Sequence, residues 1–312
     1  MAFISTFVIS MLFSQLVFVC HCNPTCKLEY PIGEIPVYKE DRYYVHFAQN
    51  LEFLEAEFFL WSSYGYGLDV MQPWLTKGGP PPIGAQKANL DPFTLNIIKE
   101  FGNEEIGHLR AIDSVMGSIT RPLLNLTSEN FEQIFDEAFG YKLEPPFDPY
   151  RDSLHYMLSS YIIPYIGMNG YVGMNPILKG YASKRSQLVA GLLGTEGQQD
   201  AIIRMYLYER ANEVVYPYGY TVADFTSRIS NLRNQLGMCG IKDEGIIVPC
   251  ELGAENRTET NVISANYYSL AYSRTPPQIL RIVYTTGDEH IPGGFYPNGA
   301  NGKIARDFLR KI

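Results

Sequence analysis

The chain has 312 residues, is 46% hydrophobic and carries a formal net charge of −8. That is enough sequence to bury a sizeable core in one large domain or two small ones. An acidic balance without a basic run excludes nucleic acid and anionic membrane surfaces as main partners.

In chain order, residues 1–22 ("MAFISTFVISMLFSQLVFVCHC") are expected to be a secretory signal. The apolar run is short and N-terminal, and Cys20 and Cys22 suit the small positions before a cleavage point. A signal anchor is the alternative. No later segment is long and apolar enough to cross a bilayer, so no membrane contact is expected after cleavage. Cleavage leaves Cys26, Cys239 and Cys250. In an oxidising compartment Cys239 and Cys250 could close a short loop, with Cys26 the odd thiol, or Cys26 could pair with either. Asn125 in "NLT" and Asn256 in "NRT" are glycosylation sequons, consistent with export.

A leader over 23–44 precedes a helical domain expected over 45–236. Its first helix is read at 45–66, and "GGPPPIG" (78–84) then interrupts as a rigid connection. Asp91-Pro92 opens a second helix running to about Ser118, an N-cap followed by proline at the first helical position. "LTSENFEQIFDEAFG" reads as a short surface helix. A third long helix is expected from Asp152 to about Ile166, broken by the glycines of "GMNGYVGMNP". A fourth spans Ala182 to Val215, and a fifth 221–236 starts at Thr221 and stops at Gly237. Residues 237–312 show no long helix signal and are expected as an irregular segment packed on the bundle.

Projection at 100° per residue places Leu95, Ile98, Phe101, Leu109 and Ile112 on one stripe of the second helix. Glu105 falls inside that stripe and His108 on its edge, so this Glu-x-x-His pair points inward. On the fourth helix Glu196 and Gln199 lie within a stripe of Leu188, Leu192, Ile203 and Tyr206. The first helix is apolar almost all round. Glu52 is flanked there by Ala48, Ala56 and Phe59, Glu55 lies near Leu51, and Glu57 takes the more polar side. Asp41 reads as a solvated charge, and the 23 tyrosines as packing and hydrogen-bonding groups.

A buried carboxylate without a partner costs several kcal/mol, so inward acids on three helices need a shared explanation. One is a metal site: carboxylate bundles take one Glu from each of two helices and Glu-x-x-His from each of the other two. Such oxygen and imidazole ligands suit iron or manganese. The other is a hydrogen-bonded polar core without metal. No Ser-His-Asp arrangement, reactive cysteine or phosphate loop is evident.

The strings "NLEFLEAEFFLWSSYGYGLD", "GGPPPIGAQKANLDPFT", "EEIGHLRAI", "YIIPYIGMNGYVG", "AGLLGTEGQQDAIIR" and "PGGFYPNGANGKIA" together resemble the plant desiccation-related proteins, over about residues 45–309. The resemblance implies a mainly α, ferritin-like four-helix bundle with additional helices, secreted to the apoplast or cell wall (the vacuole being the alternative) and tied to water-deficit stress. Carried over position by position, it nominates Glu52, Glu105, His108 and Glu196 as metal ligands. Gln199 stands where a His would complete the fourth-helix motif. The third helix offers no glutamate; Asp152 and His155 are its nearest substitutes. The set has room for one metal ion, or has become a degenerate site whose groups bond one another.

Two functions remain open on this reading. One is a stress protein acting by binding or protection. The other is an enzyme using the bundle pocket on a small molecule, either as a metal-dependent oxidoreductase or by acid–base chemistry. For the enzyme the catalytic candidates are Glu105, His108 and Glu196, with His155 as an added base.

Overall fold

The computed structural model describes residues 38–180, 184–248 and 259–309. The signal segment, Cys26, Cys250 and Asn256 lie outside the described residues, as does any bridge from Cys239, which is itself exposed. Four long helical runs form the bundle: α1 (Lys39–Tyr64), α3 (Pro92–Met116), a third made of α5 (Ser153–Ser160) and α6 (Pro164–Met174), and α7 (Lys184–Tyr208). A short α2 (Leu68–Met71) follows α1. α4 (Ser128–Phe139) and α8 (Val222–Gly237) pack on each other outside the bundle. Val214–Val215 and Tyr220–Thr221 pair as a two-stranded antiparallel hairpin, β1 and β2. No helix among the described residues is long and apolar enough to cross a membrane.

Local chemistry explains the boundaries. α3 starts at Asp91, whose side chain accepts from the N–H groups of Phe93 and Thr94 at 2.9 and 3.1 Å. α8 starts at Thr221, in a reciprocal capping box with Asp224. α1 begins at Lys39, six residues before its expected start, because "KEDRYY" is helical although not apolar. α7 ends at Tyr208 rather than Val215, since Val214 and Val215 are taken by the hairpin.

The third bundle helix differs most from expectation. It breaks at 161–163, before Pro164, and its glycines do not interrupt it. Proline cannot donate to the carbonyl four residues back and crowds it. The carbonyls of Tyr161 and Ile162 are instead taken by Arg233 Nη1 from α8. Arg233 and Arg204 both lie over the rings of Tyr161 and Tyr165 and both pair with buried Asp243. The glycines serve close packing. A Cβ on Gly170 would come within 2.9 Å of Ile279 Cδ1, and one on Gly173 within 2.3 Å of the Arg274 carbonyl oxygen.

The C-terminal segment is less irregular than its sequence suggests. It contains α9 (Pro276–Val283), packed on α8 and α6, and α10 (Lys303–Leu309), packed on α1. Two acids expected at the surface are buried. Asp41 accepts from the N–H groups of Lys179 and Gly180 at 2.9 and 3.1 Å. Glu57 pairs with fully buried Arg121, which also holds Asp69 at 2.9 Å and the Gly79 carbonyl.

Gly173→Ala is expected to cost about 1–3 kcal/mol, because the added methyl meets backbone rather than a movable side chain. Denaturant unfolding checks this; a variant as stable as the wild type would show that the 274–276 segment is not firmly docked on α6.

Candidate metal centre

The bundle helices bring polar side chains to one level of the core. On α1, Glu52 and Glu55 are three residues apart and share a face. Glu105 and His108 have the same spacing on α3. α7 supplies Thr195, Glu196 and Gln199, and α6 supplies Gly167 and Tyr171. Ligand atoms of Glu52, Glu105, His108 and Glu196 all lie within 4.8 Å of one another. The acids are buried, and His108, at 8% exposure, is the member most open to solvent.

His108 is the hub of the cluster. Its Nδ1 lies 2.9 Å from Glu52 Oε2, 3.3 Å from Glu105 Oε2 and 3.6 Å from Glu196 Oε1. Its Nε2 lies 2.8 Å from Thr195 Oγ1. That hydroxyl donates to the Leu192 carbonyl at 2.9 Å, so it accepts from His108 Nε2–H. With Nε2 carrying a proton, Nδ1 is the nitrogen that can face a metal, and Thr195 is the outer partner that fixes it so.

Glu52 and Glu105 have further donors. Tyr171 donates its hydroxyl proton to Glu52 Oε1, and Gln199 Nε2 donates to Glu105 Oε1 at 2.7 Å. Turning the Gln199 amide round would set two acceptor oxygens against each other. Gln199 orients Glu105 through its amide N–H, while its buried Oε1 has no hydrogen-bond partner. Glu55 and Glu196 have no such support: none of their four oxygens has a hydrogen-bond partner.

The charge balance reflects this. Burial pushes Glu105 up to about 7, against the pull of His108. Burial, and then neighbouring carboxylates, push Glu55 and Glu196 well above the usual range. Burial also acts on Glu52, but the charge and hydrogen bond of His108 and the Tyr171 hydroxyl bring it below the ordinary value. For His108, burial alone would favour the neutral ring; Glu105 and Glu52 overcome it and push the imidazole up to about 12. Three carboxylates and one imidazole around orphaned oxygens fit a cation that prefers oxygen and imidazole donors, iron or manganese among them.

His155 does not join this group. It lies in the first turn of α5, its Nδ1 bonds Asp152 at 2.8 Å, and it packs between Phe147 and Tyr218. That turn lies ahead of the break at 161–163, whereas Gly167 and Tyr171 lie in α6 beyond it. Asp152 is spent as the α5 N-cap. Asn125 is half-buried in a bridge with Ile83, its side-chain oxygen accepting from Thr127 N–H. Glu55, Tyr171 and Thr195 are what the reading of the sequence passed over. The Glu52–Glu55 spacing of three was the available signal for the first; nothing marked Tyr171 among so many tyrosines.

A ferritin-like domain family matches residues 40–209. The chain belongs to it. The match is extended by two plant relatives. The chain is 59% identical to the ferritin-like catalase Nec2 of Nesocodon mauritianus, over 312 residues that span 99% of this chain and 100% of that one. It is 48% identical to the desiccation-related protein PCC13-62 of Craterostigma plantagineum, over 288 residues, 92% of this chain and 90% of the other. It is thus a plant desiccation-related member of the ferritin-like proteins. No solved structure matches it. Against the common carboxylate-bundle pattern this ferritin-like chain departs twice: Gln199 replaces the fourth-helix His, and 153–174 contains no acid.

Glu105, Glu55 and Glu196 bind protons more readily folded than unfolded, so their contribution to stability falls as pH rises from about 4.5 through 7. Metal-free protein is expected to lose stability between pH 5 and pH 8, and Glu196→Gln to lose less. Denaturant unfolding at the two pH values measures the difference; equal losses in both proteins would mean that Glu196 is ionised throughout.

Proposed function

We propose that this ferritin-like protein is a metal-dependent oxidoreductase that disproportionates hydrogen peroxide. The observation that carries the reading is the convergence of Glu52, Glu105, His108 and Glu196 within 4.8 Å in a buried core. The 59% identity to a protein named a ferritin-like catalase supports peroxide as the substrate. Two peroxide molecules give two waters and one dioxygen. One peroxide gives up two electrons and two protons and leaves as dioxygen; the other accepts them, and its O–O bond breaks to yield the waters.

Iron or manganese, when bound, would supply the redox centre through which the two electrons pass. The protein does the rest. Glu52, Glu105, Glu196 and His108 Nδ1 hold the ion. Thr195 sets the His108 tautomer, Tyr171 holds a proton at Glu52 Oε1, and Gln199 steadies Glu105. Apolar walls exclude bulk water, and the His108 edge is the side on which a molecule as small as peroxide enters. The apolar leader and the sequons at Asn125 and Asn256 support a secreted protein of the apoplast or cell wall.

The second reading, a stress protectant without catalysis, is favoured by the desiccation-related relative and by Gln199 in place of a ligand. Oxygen evolution separates the two. Manganese- or iron-loaded wild type is expected to release oxygen from peroxide, and a Glu105→Ala/His108→Ala double variant to fall to background. Metal-loaded wild type that releases none leaves the protectant reading standing. Thr195→Val is expected to weaken metal binding roughly 10–100-fold, while Thr195→Ser retains it, in a competition titration.

A further inference from the structure

We propose that a cavity between α1, α6 and α9 is a binding site for a neutral, flat aromatic molecule of one or two rings, separate from the carboxylate cluster.

The cavity has a volume of about 330 Å3, and no residue of the carboxylate cluster lines it. Its floor is made by buried Phe47 and Leu51 of α1, Met174 of α6 and Ile279 of α9. Its mouth is marked by Ile177, 45% exposed, and by exposed Thr275. Gly170 and Gly173 line it with bare backbone, at the points where α6 comes closest to Ile279 and to the Arg274 carbonyl.

Protein interiors hold few voids larger than a water molecule, so a space of this size needs an occupant. Water fills it poorly, because a buried water needs several polar partners and these walls are mostly carbon. An apolar cavity of about 150 Å3 stays dry and takes up benzene; this one is roughly twice as large, with room for a second ring.

The walls set the charge and the shape of that occupant. Arg274 is the charged residue among the described lining residues, and it presents backbone there. Its carbonyl oxygen faces Gly173, while its guanidinium turns to α8, Nη2 donating to Asn234 Oδ1 at 3.1 Å. An ion entering would lose its hydration without a counter-charge, so the occupant is neutral. Flatness follows from the bare α6 backbone on one side and from Tyr44 and Phe47, three residues apart on α1, on another. Rings pack on rings by offset or edge contacts, and the Met174 thioether adds a favourable sulfur contact.

The test is a calorimetric titration of the full mature protein with 2-naphthol. Wild type is expected to bind one molecule per chain. Ile177→Glu, which puts a charge at the exposed rim, is expected to bind about tenfold more weakly. Ala48→Phe, which fills the cavity from α1, is expected not to bind, with circular dichroism checking that both variants fold. Chelating bound metal is expected to leave the titration unchanged. Wild type that binds no 2-naphthol, or folded variants that both bind it as wild type does, would overturn the site. Tighter binding of naphthalene-2-sulfonate or of 1-octanol than of 2-naphthol would overturn the neutral aromatic assignment.

Discussion

Four carboxylates and one imidazole sit together where water does not reach, and the rest of the bundle is arranged around that fact. Like charges a few ångströms apart repel strongly in a low-dielectric interior, so the cluster persists only with compensation. His108 supplies part of it, spread over Glu52, Glu105 and Glu196. Tyr171 and Gln199 supply two further donors. What is left over, at Glu55 and Glu196, is a set of buried carboxyl oxygens without hydrogen-bond donors, and burial among like charges pushes both groups well above the usual range.

Other buried acids in the same chain are treated differently. Glu57 has Arg121, Asp200 has Arg204, and Asp243 has Arg204 and Arg233. Asp41 has two backbone N–H groups. These are closed networks in which each charge is answered within the fold, and they tie the connecting and C-terminal segments to the bundle. Removing one partner from such a pair is far more costly than the pair is worth. The central cluster is the contrasting case: the Glu55 and Glu196 oxygens are left without hydrogen-bond partners, an arrangement that permits a metal ion.

The third bundle helix makes the contrast possible by contributing less than its counterparts. Pro164 splits it, Arg233 takes the freed carbonyls, and the glycines of α6 let α7, α9 and the segment before α9 approach closely. Its offering to the centre is an absence of side chain at Gly167 and a hydroxyl from Tyr171. A third helix bearing a glutamate would have completed the common bundle pattern.

Much of this was legible in the sequence, for a physical reason. Helical periodicity is local, so the inward faces of Glu52, Glu105, His108, Glu196 and Gln199 follow from the residues of each helix alone, as do the caps at Asp91 and Thr221. The bundle follows from the same stripes together with the family strings. Partnership was not legible, because it depends on which helices meet at which depth. Local reading put Glu57 and Asp41 toward water, offered His155 as an added base and took the α6 glycines for breakers. Tertiary contacts buried the first two against Arg121 and the 179–180 backbone, left His155 among aromatic rings ahead of the break in its helix, and turned the glycines into close contacts. The sequence by itself determined the helices and the acids they point inward. Only the tertiary structure decided which of those acids find donors and which do not, since a carboxylate's fate is set by neighbours that are distant along the chain.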